Sequence, residues 1–570
     1  MPVRKTYYYQ RIILISSFIL FVKINGSGQL LLQQTNWRST SNTEGKLKLQ
    51  FTNDTLFIQQ NNTINTTFTF KQKQDTIFIF NTADKDSCQS DTGIYRIMYN
   101  HRGQELLFVA VTEKCNYRKE IFLASLPYNF IPSDNVAFRN WSDLDPEKDS
   151  VAGINLYKAY DLLKGKKSKQ VIVAVIDNGV DIDHEDLKNL IWINKKEIPN
   201  NGIDDDHNGY IDDVHGWNFR SAKDGTNIEN EQAASTQFYS AWKSKFDNAV
   251  FNLLSKNEKK EYAIFSKAKE EYFEKLNETK DSGDIKFAYN LQYNSSDLIG
   301  DNPADFKERF YGSPNMRPSS NLKHGTYVAG IIAAQRNNDI GIDGIADNVL
   351  IMPIVASAAI GDERDKDIAN AIRYAVDNGA SIINISFDKS FSSHKKLVDN
   401  AIGYAGKKNV LIIHSAGNYH VNIDTINYYP IALFENGKKA ANFIAVGWSR
   451  PLFNYRLAHP NSCYGKKNVD LFAPGSDILT TSPGNEYDFR SGSSMSSPMV
   501  SGVAALLLSY FPELTIVQVK DIILRSAYKP NIMVNKPGTK TQVPFSALSA
   551  TGGIVNTYNA VKLAIEITKK

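Results

Sequence analysis

The amino-acid sequence predicts an α/β protein, a doubly wound parallel sheet with helices on both faces, preceded by a small all-β domain. Three observations carry that expectation. After about residue 150, continuous apolar runs of strand length recur, as in strands buried on both faces of a parallel sheet. Stretches with helical periodicity separate those runs. Upstream, short β-rich runs alternate with clusters of turn-forming residues.

The buried-strand runs are residues 171–176, 349–355, 381–386, 410–414 and 443–446, with helices expected at 367–377 and 396–407. Strand–helix alternation of this kind is the pattern of a doubly wound sheet. The β-rich region covers 29–125, with runs at 46–51, 56–58, 68–70, 76–80, 94–98 and 106–111. Residues 126–165 read as a linker and the start of the α/β domain, which fills 166–570. A polar insertion at about 220–320 interrupts the alternation. There Phe238, Trp242, Phe246 and Val250 recur every four residues, and Tyr262, Phe265, Lys269 and Tyr272–Phe273 continue the stripe. One apolar stripe on a polar helix predicts a helical hairpin packed on the domain surface. The segment ends just before His324, so a lid over a cleft is the sharper alternative.

A chain of 570 residues has room for two to four domains at ~100–200 residues each. The 65 basic and 61 acidic residues nearly cancel, which argues against nucleic acid or an anionic membrane as partner. Residues 1–28 read as a signal peptide: Arg4, Lys5 and Arg11 flank the start of an apolar stretch at 12–22, and Gly26, Ser27 and Gly28 follow it. That stretch is shorter than the ~20 residues a membrane helix needs. A secreted monomer, extracellular or periplasmic and without stable membrane insertion, is the expectation. Cys88 and Cys115 either pair, leaving Cys463 as a buried thiol, or all three cysteines are reduced.

Four motifs stand in fixed order. AVIDNGVD at 174–181 is a buried strand ending in Asp177. HGTYVAG at 324–330 opens an apolar helix with His324. SAGN at 415–418 follows the strand at 410–414. GSSMSSP at 492–498 opens a helix over 499–508 and contains Ser494. A serine hydroxyl becomes a good nucleophile only when a base takes its proton. Histidine does that near neutral pH. A buried aspartate fixes the imidazole tautomer and stabilises the imidazolium. Asp177 lies at the carboxyl end of its strand, where open α/β sheets hold ligands. Ser494 at a helix start places backbone N–H groups beside developing negative charge. The Asn418 amide and the Ser494 N–H would then serve as oxyanion donors.

These motifs resemble those of the subtilisin-like serine peptidases (the subtilases, family S8), of a bacterial secreted type. The order Asp…His…Ser is theirs, and no G-x-S-x-G elbow surrounds Ser494. The resemblance covers nearly all of 150–570 and extends to His184-Glu185-Asp186-Leu187, Ala473-Pro474-Gly475 and Gly502-Val503-Ala504-Ala505-Leu506. It implies a serine endopeptidase acting on proteins or peptides through an acyl-enzyme. It also implies that Ser386, Phe387 and Asp388 form one side of the substrate cleft, with Ala416, Gly417 and Asn418 as a wall of the specificity pocket. The peptide would bind as an added strand. Family members usually have glycine where Asp388 stands; a carboxylate there either crowds the peptide or favours basic side chains. Asn178, Tyr327 and Ser493 are further departures, and none removes a catalytic group. The β-rich region loosely resembles lipocalin-like accessory domains and is unlike the usual subtilisin propeptide.

Residues 201–213 are dense in oxygen ligands. Asp204, Asp206 and Asn208 alternate, Gly209 permits a sharp turn, Tyr210 offers a carbonyl and Asp212 follows. This matches the first nine positions of an EF-hand-like loop, with His215 where the final glutamate would stand. Asp204, Asp205, Asp206, Asp212 and Asp213 would repel one another without a cation, so a structural Ca2+ is expected. Asp186 and the loop near Asn338 suggest a second site. Two competing functions remain at this level: a catalytically silent binding protein on the same fold, its cleft blocked by Asp388 and the insertion, and a protein whose main activity is ligand binding by the N-terminal β-domain.

Overall fold

The computed structural model describes residues 140–278, 287–316 and 323–569 in full, and the backbone of eight strands between residues 35 and 132. Two compact units divide the chain at Asn140/Trp141. The first carries an eight-stranded antiparallel sheet. Its strands are Thr35–Ser39, Lys48–Phe51, Thr55–Gln60, Thr63–Lys73, Thr76–Asn81, Gly93–Met98 and Leu107–Thr112, paired in chain order, with Phe130–Pro132 added beside the first. The segments expected to hold the leader peptide, Cys88 and Cys115 lie outside the described residues.

The second unit is built on a seven-stranded parallel sheet. We label its strands β1 (Val171–Asp177), β2 (Trp217–Asn218), β3 (Val349–Val355), β4 (Ile382–Ile385), β5 (Leu411–Ser415), β6 (Phe443–Ser449) and β7 (Leu471–Pro474). Their spatial order is β2-β3-β1-β4-β5-β6-β7, all parallel. Strand periodicity explains why these segments read as unbroken apolar runs. Val171, Val173 and Val175 enter one core, while Ala174 and Ile176 enter the other. Ile351 and Met352, Leu411 and Ile412, and Ile444 and Ala445 divide in the same way. Both faces are therefore covered, as a doubly wound sheet requires.

One face carries α1 (Leu156–Leu163), α4 (His324–Ala333), α7 (Ser493–Tyr510), α8 (Ile516–Arg525) and α9 (Thr557–Thr568). The other carries α5 (Asp365–Asp377) and α6 (Lys395–Lys407). The chain runs outward from β1 to β3, then returns to pair β4 on the other side of β1. The carboxyl end of β1 is thus a topological switch point, where such sheets hold their ligands.

The insertion forms a hairpin of α2 (Ala234–Phe246) and α3 (Lys256–Glu278) with its own core of Phe238, Tyr239, Phe246, Phe265 and Tyr272. Phe238 stacks on Trp242, and Trp242 on Phe246, each at 5.7 Å between ring centroids. The expected stripe stops one turn early: α2 ends at Phe246, and Val250 is 60% exposed beyond it. Phe391 joins this core, so the hairpin packs against the loop that follows β4. Among the described residues no helix is long and apolar enough to cross a membrane.

Candidate functional site

Asp177 ends β1, buried at 2% exposure. His324 begins α4, and its Nδ1 lies 2.9 Å from each Asp177 carboxylate oxygen. The strand end and the helix start approach this closely because residue 325 is glycine. A Cβ there would stand 2.3 Å from the Gly179 carbonyl oxygen and 3.1 Å from Asp177 Cβ. Asn178 holds the junction: its Oδ1 accepts the Gly325 N–H at 3.2 Å, one of the helix's unpaired amides. Burial of the His324 imidazole lowers its pKa, but the charge and hydrogen bond of Asp177, aided by Glu363, outweigh that and hold it above the ordinary 6.5. Tyr327, one turn on, accepts from Arg490 Nη2 at 2.9 Å and lies under its guanidinium, tying α4 to the strand Glu486–Arg490 that leads to Ser494.

Ser494 is the second residue of α7. Gly492 precedes the helix at φ 151°, and a Cβ there would stand 3.1 Å from Ser494 Oγ and 3.6 Å from Asn418 Nδ2. The hydroxyl and the amide therefore face a common point. Asn418 is oriented by a reciprocal clamp: its Oδ1 accepts the Ser493 N–H at 2.9 Å, and Ser493 Oγ accepts the Gly417 N–H at 3.2 Å. With its oxygen engaged, the amide directs its N–H groups elsewhere, as an oxyanion donor must.

The start of α7 has a defect that the fold repairs. Pro498 stands inside the helix and has no N–H to offer the Ser494 carbonyl four residues earlier. Ser386 Oγ donates to that carbonyl instead, at 3.1 Å. It also meets Ser497 Oγ at 2.8 Å and accepts from Asn384 Nδ2 at 2.8 Å, while Ser501 Oγ donates to Asn384 Oδ1 at 2.8 Å. The turn that bears Ser494 is thereby fastened to the end of β4. The backbone of Phe387, next along, accepts from His414 Nε2 at 2.9 Å; burial pushes His414 down to about 4, so the imidazole is neutral. Ala416 is buried at 2% and donates to the Val446 carbonyl. Asp388 is half-buried, its Oδ2 3.4 Å from where a Cβ on Gly417 would lie. Cys463 is a buried free thiol in the same wall, pushed up to about 11 by burial.

In the acidic loop several carboxylate oxygens come together. The carboxylate oxygens that converge, within 4.8 Å of one another, belong to Glu197, Asp206 and Asp213. Only Asp206 is among the ligands expected from spacing. Asp204 accepts the amides of Asn208 and Gly209, and Asp212 those of Asn201 and Gly202. Asn208 Oδ1 accepts the Tyr210 N–H, and the Tyr210 ring is buried among Trp217, Phe219 and Tyr374. Asp213 is fully buried, and that burial pushes its carboxyl up to about 6 despite hydrogen bonds from Tyr374, Asn194 and Asn208. Three carboxylates, two of them buried, supply hard oxygen donors of the kind that hold a metal ion. The suggested second site is a hydrogen-bonded contact: Asn338 Nδ2 and the Ile342 N–H both donate to Asp186.

A doubly wound sheet with an aspartate–histidine pair at its switch point, and a serine opening the helix behind an oriented asparagine, defines a subtilisin-like protein. The chain belongs to the subtilase family (Peptidase S8), whose model matches residues 168–550. It is 38% identical over 238 residues to the thermophilic serine proteinase of Bacillus sp. (strain AK1), covering 42% of this chain and 52% of that protein. It is 26% identical over 426 residues to subtilisin-like protease 1 of Plasmodium vivax, covering 72% of this chain and 50% of that protein. The cell wall-associated protease of Bacillus subtilis (strain 168) is 32% identical over 232 residues, covering 41% of this chain and 24% of that protein. The chain spans about half the length of the first two relatives.

Proposed function

We propose that this protein is a secreted serine endopeptidase in which Asp177, His324 and Ser494 form the catalytic triad. The observation that carries the reading is the bond of His324 Nδ1 to Asp177 at 2.9 Å, at the carboxyl end of β1, with Ser494 in the first turn of α7 on the sheet face that also carries α4. With Nδ1 committed to Asp177, Nε2 is the nitrogen left to take the Ser494 proton. Ser494 Oγ attacks the scissile carbonyl, and the oxyanion is held by Asn418 Nδ2 and the Ser494 N–H. His324 then passes its proton to the leaving amine, giving an acyl-enzyme that water cleaves by the same steps in reverse. Ser386, Phe387 and Asp388 flank the peptide on one side and Ala416 and Gly417 on the other. Protein and peptide substrates and a serine-peptidase activity accord with the names of the relatives.

Ca2+ would be held by Glu197, Asp206 and Asp213, with the rest of the 204–212 loop shaping the mouth of the site. It would neutralise carboxylates that burial otherwise penalises. The test of function is digestion of an unfolded protein such as reduced casein, with the new termini read by mass spectrometry. Internal cleavage by the wild type, lost in Ser494→Ala, is the expected result. Intact casein with a correctly folded wild-type protein would refute the reading in favour of a silent binding protein.

A further inference from the structure

Three carboxylates surround the reacting end of the sheet, and the proton transfers use none of them. Asp388 lies two residues after Ser386, which holds the Ser494 carbonyl, and its Oδ2 is 3.4 Å from the position of a Gly417 Cβ. Its Oδ1 is shut off from solvent and has no hydrogen-bond partner. Glu363 is 6% exposed; its Oε1 accepts Ser357 Oγ at 2.6 Å, while its buried Oε2 has no partner. Its charge helps hold the His324 imidazole above its ordinary pKa. Asp362 acts electrostatically on both Asp388 and Glu363. It is held in place by the insertion, accepting the Ala234 N–H at 2.6 Å.

The neighbouring cations are already engaged. Lys389, 1% exposed in its side chain, binds Asp365 at 2.9 Å and the Glu363 carbonyl. Arg490 binds Asp488 and Tyr327. Tyr419 already serves Asp388 by a side-chain hydrogen bond, so the unmet need is confined to Asp388 Oδ1 and Glu363 Oε2, and a buried oxygen without a donor is a cost. Burial raises both groups, Asp388 to about 7 and Glu363 to about 8, and a cation beside them would draw them back to the ionised form. The attacked carbonyl must sit between Ser494 Oγ and Asn418 Nδ2. The side chain that enters beside Gly417 is then that of the residue carrying this carbonyl.

We propose that the pocket beside Gly417 receives a lysine or arginine side chain of the substrate residue on the acyl side of the scissile bond, with Asp388 as the partner of its cationic head. Glu363 and Asp362 add to the surrounding negative field. The alkyl stem passes Ala416 and Gly417, where Cys463 Sγ and Tyr419 Cδ2, 3.1 and 3.3 Å from the position of a Gly417 Cβ, give way to admit it. The assignment rests on the peptidase reading above and adds the substrate class to it.

The test pairs reporter peptides that differ only in charge at that residue: arginine against citrulline, and lysine against norleucine. kcat/KM is measured for the wild type, Asp388→Asn and Glu363→Gln, with fluorophosphonate labelling of Ser494 followed in the same samples. The wild type is expected to prefer the cationic member of each pair on the order of 30-fold, about what one buried charge pair contributes. Asp388→Asn should bring that ratio to within about 3-fold, and Glu363→Gln should lower it partway. Labelled wild-type enzyme that cleaves both members equally overturns the pocket assignment alone. An Asp388→Asn variant that keeps the wild-type ratio also overturns it. Wild-type protein that neither labels nor cleaves overturns the peptidase reading and the pocket with it. Should Asp388→Asn fail to fold, the wild-type ratio alone decides.

Discussion

Replacing Ser386 by alanine probes the fastening of the Ser494 turn. The Ser386 hydroxyl serves the Ser494 carbonyl at 3.1 Å, Ser497 Oγ at 2.8 Å and Asn384 Nδ2 at 2.8 Å. Pro498 cannot supply the missing helical N–H, so the carbonyl has no local substitute donor. A buried polar group left unpaired costs about 1–3 kcal/mol. Ser497 can rotate to a new partner, and Asn384 keeps its bond with Ser501. Counting the carbonyl in full and the amide in part gives a destabilisation of about 2–4 kcal/mol. Ser501→Ala removes only one bond to Asn384 and should cost about 1 kcal/mol. A shift of the turn by a fraction of an ångström should also slow fluorophosphonate labelling by at least ~10-fold. Pro498→Ala restores an N–H aimed at the same carbonyl, so Ser386→Ala should cost about 1 kcal/mol less in that background. Urea unfolding of the four single and double variants, with labelling rates, reads all of this. A Ser386→Ala protein as stable as Ser501→Ala, labelling at the wild-type rate with no coupling to Pro498, would refute the argument.

Chelation should lower the melting temperature. Calcium at about 100 times its Kd adds about 2.7 kcal/mol. Asp213→Asn should abolish that response, whereas Asp212→Asn, whose carboxylate binds backbone amides, should keep most of it; the reverse ranking would return the site to the linear EF-hand spacing. Asn418→Ala should lower kcat on the order of 100- to 1000-fold, the size of loss known for subtilisin's oxyanion asparagine, with little change in KM. A change confined to KM would remove Asn418 from that role. Stability should fall as pH rises from the ordinary carboxylate range to about 8. Glu363 and Asp388 are raised, to about 8 and 7, so the folded state binds more protons than the unfolded across that window. Their contribution is whole below about 4 and lost above 8. Glu363→Gln should flatten the slope in urea titrations across that range, and an unchanged slope would contradict the burial argument.

The central strands were legible because both faces are buried, so β1, β3, β5 and β6 read as unbroken apolar runs. The edge strands were not. Trp217–Asn218 has two residues and Leu471–Pro474 four, too short for a pattern to emerge. In the insertion the stripe was clear, but its end was not, because Val250 keeps the spacing after the helix has stopped. At the site, Asp177, His324, Asn418 and Ser494 each sit in a local motif and could be read from one dimension. The residues that position them are assembled across the fold. Ser386 and Ser494 are 108 positions apart, and Asn178 and Gly325 147 apart, so nothing in a linear reading joins them. Pro498 was visible inside the motif, but its missing N–H acquires meaning only beside Ser386. The acidic loop was recognisable by composition, yet its converging oxygens include Glu197, which precedes the loop, and Asp213, which breaks the alternating spacing.

The most direct test of the triad is reaction of the calcium-loaded protein with a fluorophosphonate probe, read by intact mass and peptide mapping. A single adduct on Ser494, absent from Ser494→Ala and strongly slowed in His324→Ala and Asp177→Asn, is the predicted result. A folded wild-type protein that takes up no probe, or takes it up at the same rate without His324, would contradict the account.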